Sequence, residues 1–181
     1  MSVDPLDAYS GACFRAGVEP KEKCILVDIA TQTLRLVENM RCVREYLISS
    51  ARNGVGQVKD SYQTPCGLHE VVGLYGKGGE PFRVYRNRKS TEQIAVPNGV
   101  EDLIVGRILQ LGGLQDGVNR GMGESGAVVD SQQRNIYIHG TNQVSAIGRP
   151  QSAGCVRMLP ADVIELFEWV EMGTHVYIYH A

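Results

Sequence analysis

The chain has 181 residues, of which 43% are hydrophobic and 21% charged, and its formal net charge is −2. This length and composition are typical of one soluble globular domain with a sizeable hydrophobic core, and they exclude extensive disorder. The near-neutral charge gives no indication of a nucleic-acid partner, which usually requires a strongly basic surface. No stretch approaches the roughly 18 uninterrupted apolar residues that a membrane-spanning helix needs.

The cysteines and the first twenty residues indicate the cellular compartment of the protein. The five cysteines are an odd number and include no CxxC pair, which favours a reducing compartment over a disulfide framework. Residues 1–20 carry four charged side chains and contain neither the basic nor the apolar region of a secretory signal. We therefore expect a cytoplasmic protein, or a periplasmic one if an export signal has been removed.

In chain order, the first twenty residues predict a loose N-terminal arm, followed by the core of a single domain at about 24–181. Short segments rich in β-branched and aromatic residues predict strands at Cys24–Ile29, Thr33–Val37, Val43–Ser50, His69–Leu74, Phe82–Tyr85, Ile136–His139 and His175–Tyr179. Glu101–Leu111 fits either a helix or a strand. A helix begins at Pro160, because an apolar stripe at helical spacing follows that residue. The prediction is a mainly β fold with one main helix.

Two local features have competing interpretations. The basic run Arg83, Arg86, Arg88 and Lys89 indicates the solvated edge of a hairpin, or alternatively a patch that meets an anionic substrate. Gly112–Gly126 contains six glycines and the pattern GxGxxG. A dinucleotide site needs that pattern between a strand and a helix, and no helical segment follows here. We expect a mobile loop near the active site instead.

The residues with the clearest chemistry are a histidine and a cysteine. His139 ends the apolar segment Ile136–His139, and Cys155 follows Gly154 in a polar loop sixteen positions later. A thiolate is the attacking form of cysteine, and a neighbouring imidazole can accept the thiol proton. The cation of Arg157 should favour the thiolate, and the N–H groups of Gly154 and Cys155 could face a developing oxyanion. We expect Cys155 to be a nucleophile and His139 its base.

The remaining cysteines and histidines have simpler interpretations. Small, buried, apolar roles are expected for Cys13, Cys24, Cys42 and Cys66. His69 is expected to be an ordinary strand residue, and His175 and His180 to lie on the surface. No HxH or HExxH spacing occurs, so we predict no metal site, and no motif calls for a cofactor.

The segments His139–Asn142 and Ser152–Met158 together resemble the signature of the L,D-transpeptidase catalytic domain, the YkuD-like family. Thr64–Gly67 is similar to the Thr-Pro-x-Gly element that precedes this signature, and Asp130–Ser131 with Arg134 also fits. The resemblance covers roughly residue 24 to the C-terminus, with the histidine and cysteine motifs in the family's order and spacing. It implies a mainly β sandwich with the active site in a cleft.

The resemblance also implies a reaction. The cysteine attacks the carbonyl of the third residue, usually meso-diaminopimelate, of a peptidoglycan tetrapeptide stem. The terminal D-alanine leaves, and an acyl-enzyme remains. An amine acceptor then forms a 3→3 cross-link or attaches a protein or D-amino acid, whereas water gives L,D-carboxypeptidase activity. The partner is therefore a peptidoglycan stem peptide or a muropeptide, and sensitivity to carbapenems is expected.

Matching positions carry the family's roles to this chain. Cys155 is the nucleophile and His139 the general base, while Gly140 orients the imidazole through its carbonyl. Gly154 lines the oxyanion hole, and Arg157 binds substrate or holds the loop.

Two further positions of the cysteine motif complete the expected site. Ser152 matches the family's Ser/Thr and has a supporting role. Ala153 stands where many members have histidine, and its N–H group could still donate to an oxyanion. The absence of this imidazole bears on the choice of acyl acceptor.

Three functions follow from these expectations. The first is L,D-carboxypeptidase activity in muropeptide recycling, favoured over transpeptidation because a cytoplasmic enzyme would meet soluble muropeptides. The second is a peptidoglycan-binding module that has lost catalysis, with Ala153 as the sign of that loss. The third, a cysteine protease of unrelated type, needs a different context around the cysteine and histidine.

Overall fold

The computed structural model describes residues 4–180 as ten strands and two helices. The strands are β1 (Lys23–Asp28), β2 (Thr33–Glu38), β3 (Arg41–Leu47), β4 (Gly67–Tyr75), β5 (Arg83–Arg86), β6 (Lys89–Ile94), β7 (Ile104–Gly113), β8 (Tyr137–Thr141), β9 (Val156–Met158) and β10 (His175–Tyr179). The helices are α1 (Pro5–Ala16) and α2 (Pro160–Trp169). The predicted mainly β fold with its main helix after Cys155 is confirmed. Neither helix within residues 4–180 is long and apolar enough to cross a membrane.

The ten strands form one mixed sheet that branches at β7. Its main path runs in the order β3-β2-β1-β10-β4-β7-β5-β6, and β8 pairs with β7 and with β9 outside this path. Most neighbours are antiparallel, but β1 pairs with β10 and β8 with β9 in parallel. Parallel neighbours cannot be joined by a tight turn, so long connections bring each pair together. The connection between β8 and β9 carries Ser152, Ala153 and Gly154.

The main hydrophobic core lies between one face of the sheet and α2. Side chains along β1 point alternately to the two faces of the sheet, and both faces are covered. Ile25 and Val27 belong to the main core, whereas Cys24 and Leu26 belong to a second cluster on the opposite face. A strand that is buried on both faces has an almost continuous apolar sequence, as Cys24–Ile29 has.

The N-terminal segment covers that second face, and the predicted loose arm is wrong. Residues 5–16 form α1, which begins with an Asp4 carboxylate accepting from the Leu6 N–H (2.8 Å) and with Pro5 in the first turn. Gly17 ends the helix in the left-handed conformation, at φ 69°. The helix packs its buried residues, among them Tyr9, against the outer face of the sheet.

Several element predictions are also refined. Residues 104–111 of the ambiguous segment Glu101–Leu111 lie in strand β7, and the short strands β6 and β9 were not predicted. The basic run lies on the predicted hairpin, formed by β5 and β6 with Asn87 and Arg88 at positive φ in the turn. Cys42 is exposed rather than buried, since β3 is the edge strand of the main path.

Three buried histidines are held in the neutral state. His175, predicted to lie on the surface, is 3% exposed, and its Nδ1 lies 2.9 Å from the Tyr9 hydroxyl of α1. His69, confirmed as a strand residue, contacts the Ser131 hydroxyl at 2.9 Å through Nε2. Burial lowers the pKa of His69, His139 and His175 to about 4 in each case.

The stability of the fold should therefore depend on pH. Below about pH 6.5 the unfolded chain binds protons that the three buried imidazoles do not bind until about pH 4, so the folded state loses stability as the pH falls through this window. The expected slope is up to about 4 kcal/mol per pH unit for three protons. Urea unfolding between pH 7.5 and 4.5 measures it. His175→Gln should remove the contribution of about one of the three protons from the slope. His180→Gln, at an exposed position, should leave the slope unchanged. Equal slopes for both variants would contradict the assignment.

Candidate active site

Strands β8 and β9 bring the predicted histidine and cysteine together. The two strands run in parallel with His139 opposite Arg157, and Cys155 directly precedes β9. The Cys155 Sγ accepts from the Tyr137 N–H at 3.4 Å, which fixes the sulfur against β8 two residues before His139. Cys155 and His139 line one cavity of about 140 Å³. The structure therefore places both residues on the same wall of a small cleft.

His139 is oriented by the carbonyl of the next residue. Its Nδ1 lies 2.8 Å from the Gly140 oxygen. Because a carbonyl can only accept, Nδ1 must carry the hydrogen, and Nε2 has a free lone pair. Burial, the largest influence, and the neighbouring Arg157 cation lower the pKa of His139 to about 4. At neutral pH the imidazole is thus unprotonated and able to accept a proton, as a general base must be.

The cysteine is protonated in the resting site. Burial raises the pKa of the Cys155 thiol to about 11, although the Tyr137 N–H and the cations of Arg134 and Arg157 act in the opposite direction. The expected effect of Arg157 is present, but burial outweighs it. A thiol beside a neutral imidazole, rather than a thiolate–imidazolium pair, is the resting state. For this thiol to attack a carbonyl, its proton would have to pass to a base such as His139 during the attack.

Glycine is required at position 140 for a steric reason. A Cβ atom there would lie 2.5 Å from the Val105 carbonyl oxygen on β7 and 3.1 Å from Val163 of α2. Gly140 pairs with Val105 across the sheet, so β8 approaches both β7 and α2 closely at this point. This close approach fixes the strand whose carbonyl orients the imidazole.

The loop before Cys155 is held by two hydroxyl groups. Ser152 Oγ donates to the Cys155 carbonyl at 2.6 Å and accepts from the Gly154 N–H at 3.2 Å. Thr64 Oγ1 donates to the Gly154 carbonyl at 2.9 Å and accepts from the Ala51 N–H at 3.0 Å. Gly154 has φ 137°, which favours glycine.

These contacts affect the expected oxyanion hole. The Gly154 N–H is already engaged with Ser152, so it does not point freely into the cleft. Within residues 4–180, the Cys155 N–H donates to no protein acceptor. Between the N–H groups of Gly154 and Cys155, that of Cys155 is therefore the better placed to meet an oxyanion.

Arg157 is buried and binds residues from two distant parts of the chain. It is 3% exposed, and it donates through Nη1 to Asp102 at 2.6 Å and through Nη2 to the Ser49 hydroxyl at 2.9 Å. These contacts link β9 to the segments that carry Asp102 and Ser49, and the two predicted roles of Arg157 stay predictions. Asp102 is half-exposed and lines the cavity with Cys155, so it adds a carboxylate at the rim.

Sequence reasoning missed Asp102 because it lies far from both motifs. Its loop is held by Asn142, whose side chain accepts from the Leu103 N–H (2.8 Å) and donates to the Glu101 carbonyl (2.9 Å). The role of Asn142 thus connects the histidine motif to the loop that carries Asp102. The only indication of Asp102 in the sequence was the presence of Asn142 in the histidine motif.

The upstream elements of the resemblance also support the site. Arg134 donates to the carbonyls of Gly56, Gln57 and Gln63, which holds the segment that leads into Thr64. By contrast, the Gly112–Gly126 segment lies elsewhere: its Asn119 donates to the Leu68 carbonyl at 3.0 Å, and no residue of the segment lines the Cys155 cavity. Within residues 4–180 no group of three His, Cys, Asp or Glu side chains could hold a metal ion.

The comparisons with known proteins agree with this geometry. The family model of the L,D-transpeptidase catalytic domain, YkuD, matches residues 22–178, which include every site residue described above. The chain belongs to this family. The histidine and cysteine motifs had predicted this family.

Two relatives from Bacillus carry provisional names as L,D-transpeptidases. YkuD of Bacillus subtilis is 47% identical over 154 residues, and YkuD of Bacillus licheniformis is 29% identical over the same length. Each alignment covers 85% of this chain and 64% of the relative. The chain thus spans less than two thirds of the length of these proteins.

Solved structures confirm the fold. The L,D-transpeptidase of Xylanimonas cellulosilytica (residues 123–326) has a TM-score of 0.55 and 21% identity, over 94% of this chain and 69% of its own. The imipenem complex of LdtMt1 has a TM-score of 0.52 and 17% identity, over 87% of this chain and 59% of its own. At these identities the likeness concerns the fold alone.

Proposed function

We propose that the chain cleaves the L,D bond between the third residue and the terminal D-alanine of a peptidoglycan tetrapeptide stem. The observation that carries the proposal is the shared cavity of Cys155 and His139, with Nδ1 of His139 bound to the Gly140 carbonyl and Nε2 free. Cys155 Sγ attacks the carbonyl carbon as His139 takes its proton. The C–N bond then breaks, and His139 returns the proton to the departing amine.

Water is the proposed acceptor of the acyl group, which makes the activity an L,D-carboxypeptidase acting on muropeptides. All five cysteines are free, which supports a reducing compartment, where soluble muropeptides rather than the assembled wall would be the substrate. Transfer to an amine is the alternative, and the open position at Ala153 favours it.

Incubation with a disaccharide-tetrapeptide, followed by mass spectrometry, tests the proposal. A tripeptide product with free D-alanine identifies a hydrolase. A dimer identifies a transpeptidase and contradicts the choice of water. If neither product forms and a carbapenem leaves Cys155 unmodified, the acyl-enzyme mechanism itself is wrong.

A further inference from the structure

Asp102 is bonded to both of the strands that hold the cysteine and the histidine. Its Oδ2 accepts from Arg157 Nη1 on β9 at 2.6 Å, and its Oδ1 accepts from the Thr141 hydroxyl on β8 at 3.3 Å. Strand β8 carries His139, and β9 directly follows Cys155. The two strands are parallel neighbours, so a long connection rather than a tight turn joins them. One carboxylate from outside both strands therefore links them.

Arg157 depends on this carboxylate for its charge balance. Its guanidinium is buried, and within residues 4–180 its Nε has no hydrogen-bond partner. Its other side-chain contact, with the Ser49 hydroxyl, is to a neutral group. Burial lowers the pKa of Arg157 and the neighbouring Arg52 cation acts in the same direction, whereas Asp102 opposes both. A buried cation is costly without an anion beside it, and Asp102 is that anion.

The same ion pair borders the nucleophile and its base. His139 lies opposite Arg157 in the pairing of β8 with β9, and Asp102 lines one cavity with these two residues and Cys155. In the proposed acylation the S–C bond forms, the thiol proton passes to Nε2 of His139, and the carbonyl oxygen takes the negative charge. The new imidazolium then lies beside the Arg157 cation, which disfavours it. Arg134 is a further cation that acts on the thiol.

We propose that Asp102 is a positioning residue of the acylation step. Through Arg157 it holds the nucleophile strand against the base strand, and it supplies the negative charge that allows His139 to become an imidazolium. The inference rests on the proposed function, since it assumes acylation of Cys155, but it is independent of the acyl acceptor. A purely structural role would change the rate and the stability alone. The charge of Asp102 must in addition affect the ionisation of the Cys155 thiol.

Two measurements on the full chain test the inference. Mass spectrometry follows the rate at which imipenem acylates Cys155, and peptide mapping gives the pH at which half of Cys155 reacts with iodoacetamide. Asp102→Asn keeps the size of the side chain and an oxygen that accepts from Arg157. It should slow acylation about tenfold, which corresponds to a change of one pKa unit in the charge balance.

The iodoacetamide midpoint should move in the opposite sense to a loss of function. Burial raises the pKa of the Cys155 thiol to about 11, and the Asp102 carboxylate adds to this increase. Removal of the carboxylate therefore lowers the pKa of the thiol, and the midpoint should fall below that of the parent protein. Slower acylation of a more easily ionised thiol is a combination that weakened folding does not produce.

Glu101→Gln is the matched control. It removes a carboxylate from the same loop, but the ion-pair partner of Glu101 is Arg86, at 3.9 Å, and Glu101 does not line the Cys155 cavity. Both measurements should equal those of the parent. Asp102→Glu keeps the charge and displaces it by one methylene group. It should leave the iodoacetamide midpoint at the parent value and slow acylation by about threefold, because a small displacement at the site lowers the rate. Thermal unfolding checks that each variant is folded.

The inference is overturned if Asp102→Asn is acylated as fast as Glu101→Gln, or if its iodoacetamide midpoint does not fall. Acylation of Asp102→Glu at the parent rate also overturns it, and this variant decides the question if Asp102→Asn does not fold. Release of D-alanine from a tetrapeptide serves as the rate if imipenem does not react. A parent protein that neither reacts with imipenem nor releases D-alanine overturns the proposed function instead, and with it the inference.

Discussion

Replacement of Cys155 by alanine should abolish release of D-alanine from a tetrapeptide, with a loss of at least about 10⁴-fold in rate, as when the nucleophile of a covalent enzyme is removed. Cys155 alone combines a cavity shared with His139 and a sulfur fixed by the Tyr137 N–H. The half-buried thiol has a raised pKa, so it depends on His139 for its proton transfer, and no other cysteine lines that cavity. Mass spectrometry should show a carbapenem adduct on the parent protein and none on the variant.

The control for this experiment is Cys42→Ala, at an exposed position on the edge strand β3. It should keep full activity and carbapenem labelling. Thermal unfolding of both variants separates chemistry from folding, because the hydrogen bonds of the Cys155 thiol are two long ones, at 3.4 and 3.5 Å. Full activity of Cys155→Ala would contradict the acyl-enzyme mechanism, and retained peptidoglycan binding without turnover in the parent would support a non-catalytic module.

The part of the site that the sequence predicts is the part formed by local contacts. His139 and Gly140 are neighbours in the chain, and the Ser152 hydroxyl binds Gly154 and Cys155, so these relations are contained in two short motifs. The strands that carry them also follow from local β-branched patterns. Asp102 and Ser49 escaped prediction because they reach Arg157 from loops 55 and 108 positions away, and only the sheet topology brings them there.

The N-terminal helix was missed for a different reason. Its capping signals are present in Asp4, Pro5 and Gly17, but the segment has a narrow apolar face, which resembles a loose arm when considered alone. What stabilises the helix is tertiary packing on the sheet. The continuous apolar run of β1 indicated that both faces needed cover, and His175 is buried because Tyr9 of that helix covers it.

The second large effect should come from Gly140→Ala. The added methyl group would meet the Val105 carbonyl at 2.5 Å, and because this atom belongs to the backbone of β7, the strands must separate. Forcing extra atoms into a close-packed core costs about 1–3 kcal/mol. Separation of β8 also moves the carbonyl that orients His139, and a displacement of about 1 Å at a catalytic group can cost about 100-fold in rate. We therefore expect a large loss of kcat together with a lower unfolding free energy.

Gly11→Ala is the matched control, since it adds the same methyl group in helix α1, where the nearest atom is the flexible end of Arg15 at 3.3 Å. It should stabilise the protein by about 0.5–1 kcal/mol, because alanine favours a helix over glycine, and leave kcat unchanged. Urea unfolding and tetrapeptide turnover, measured on both variants, separate the two effects. If Gly140→Ala lowers stability but keeps kcat, then the strand position matters for folding alone, and the His139–Gly140 contact is not what keeps the imidazole oriented for proton transfer.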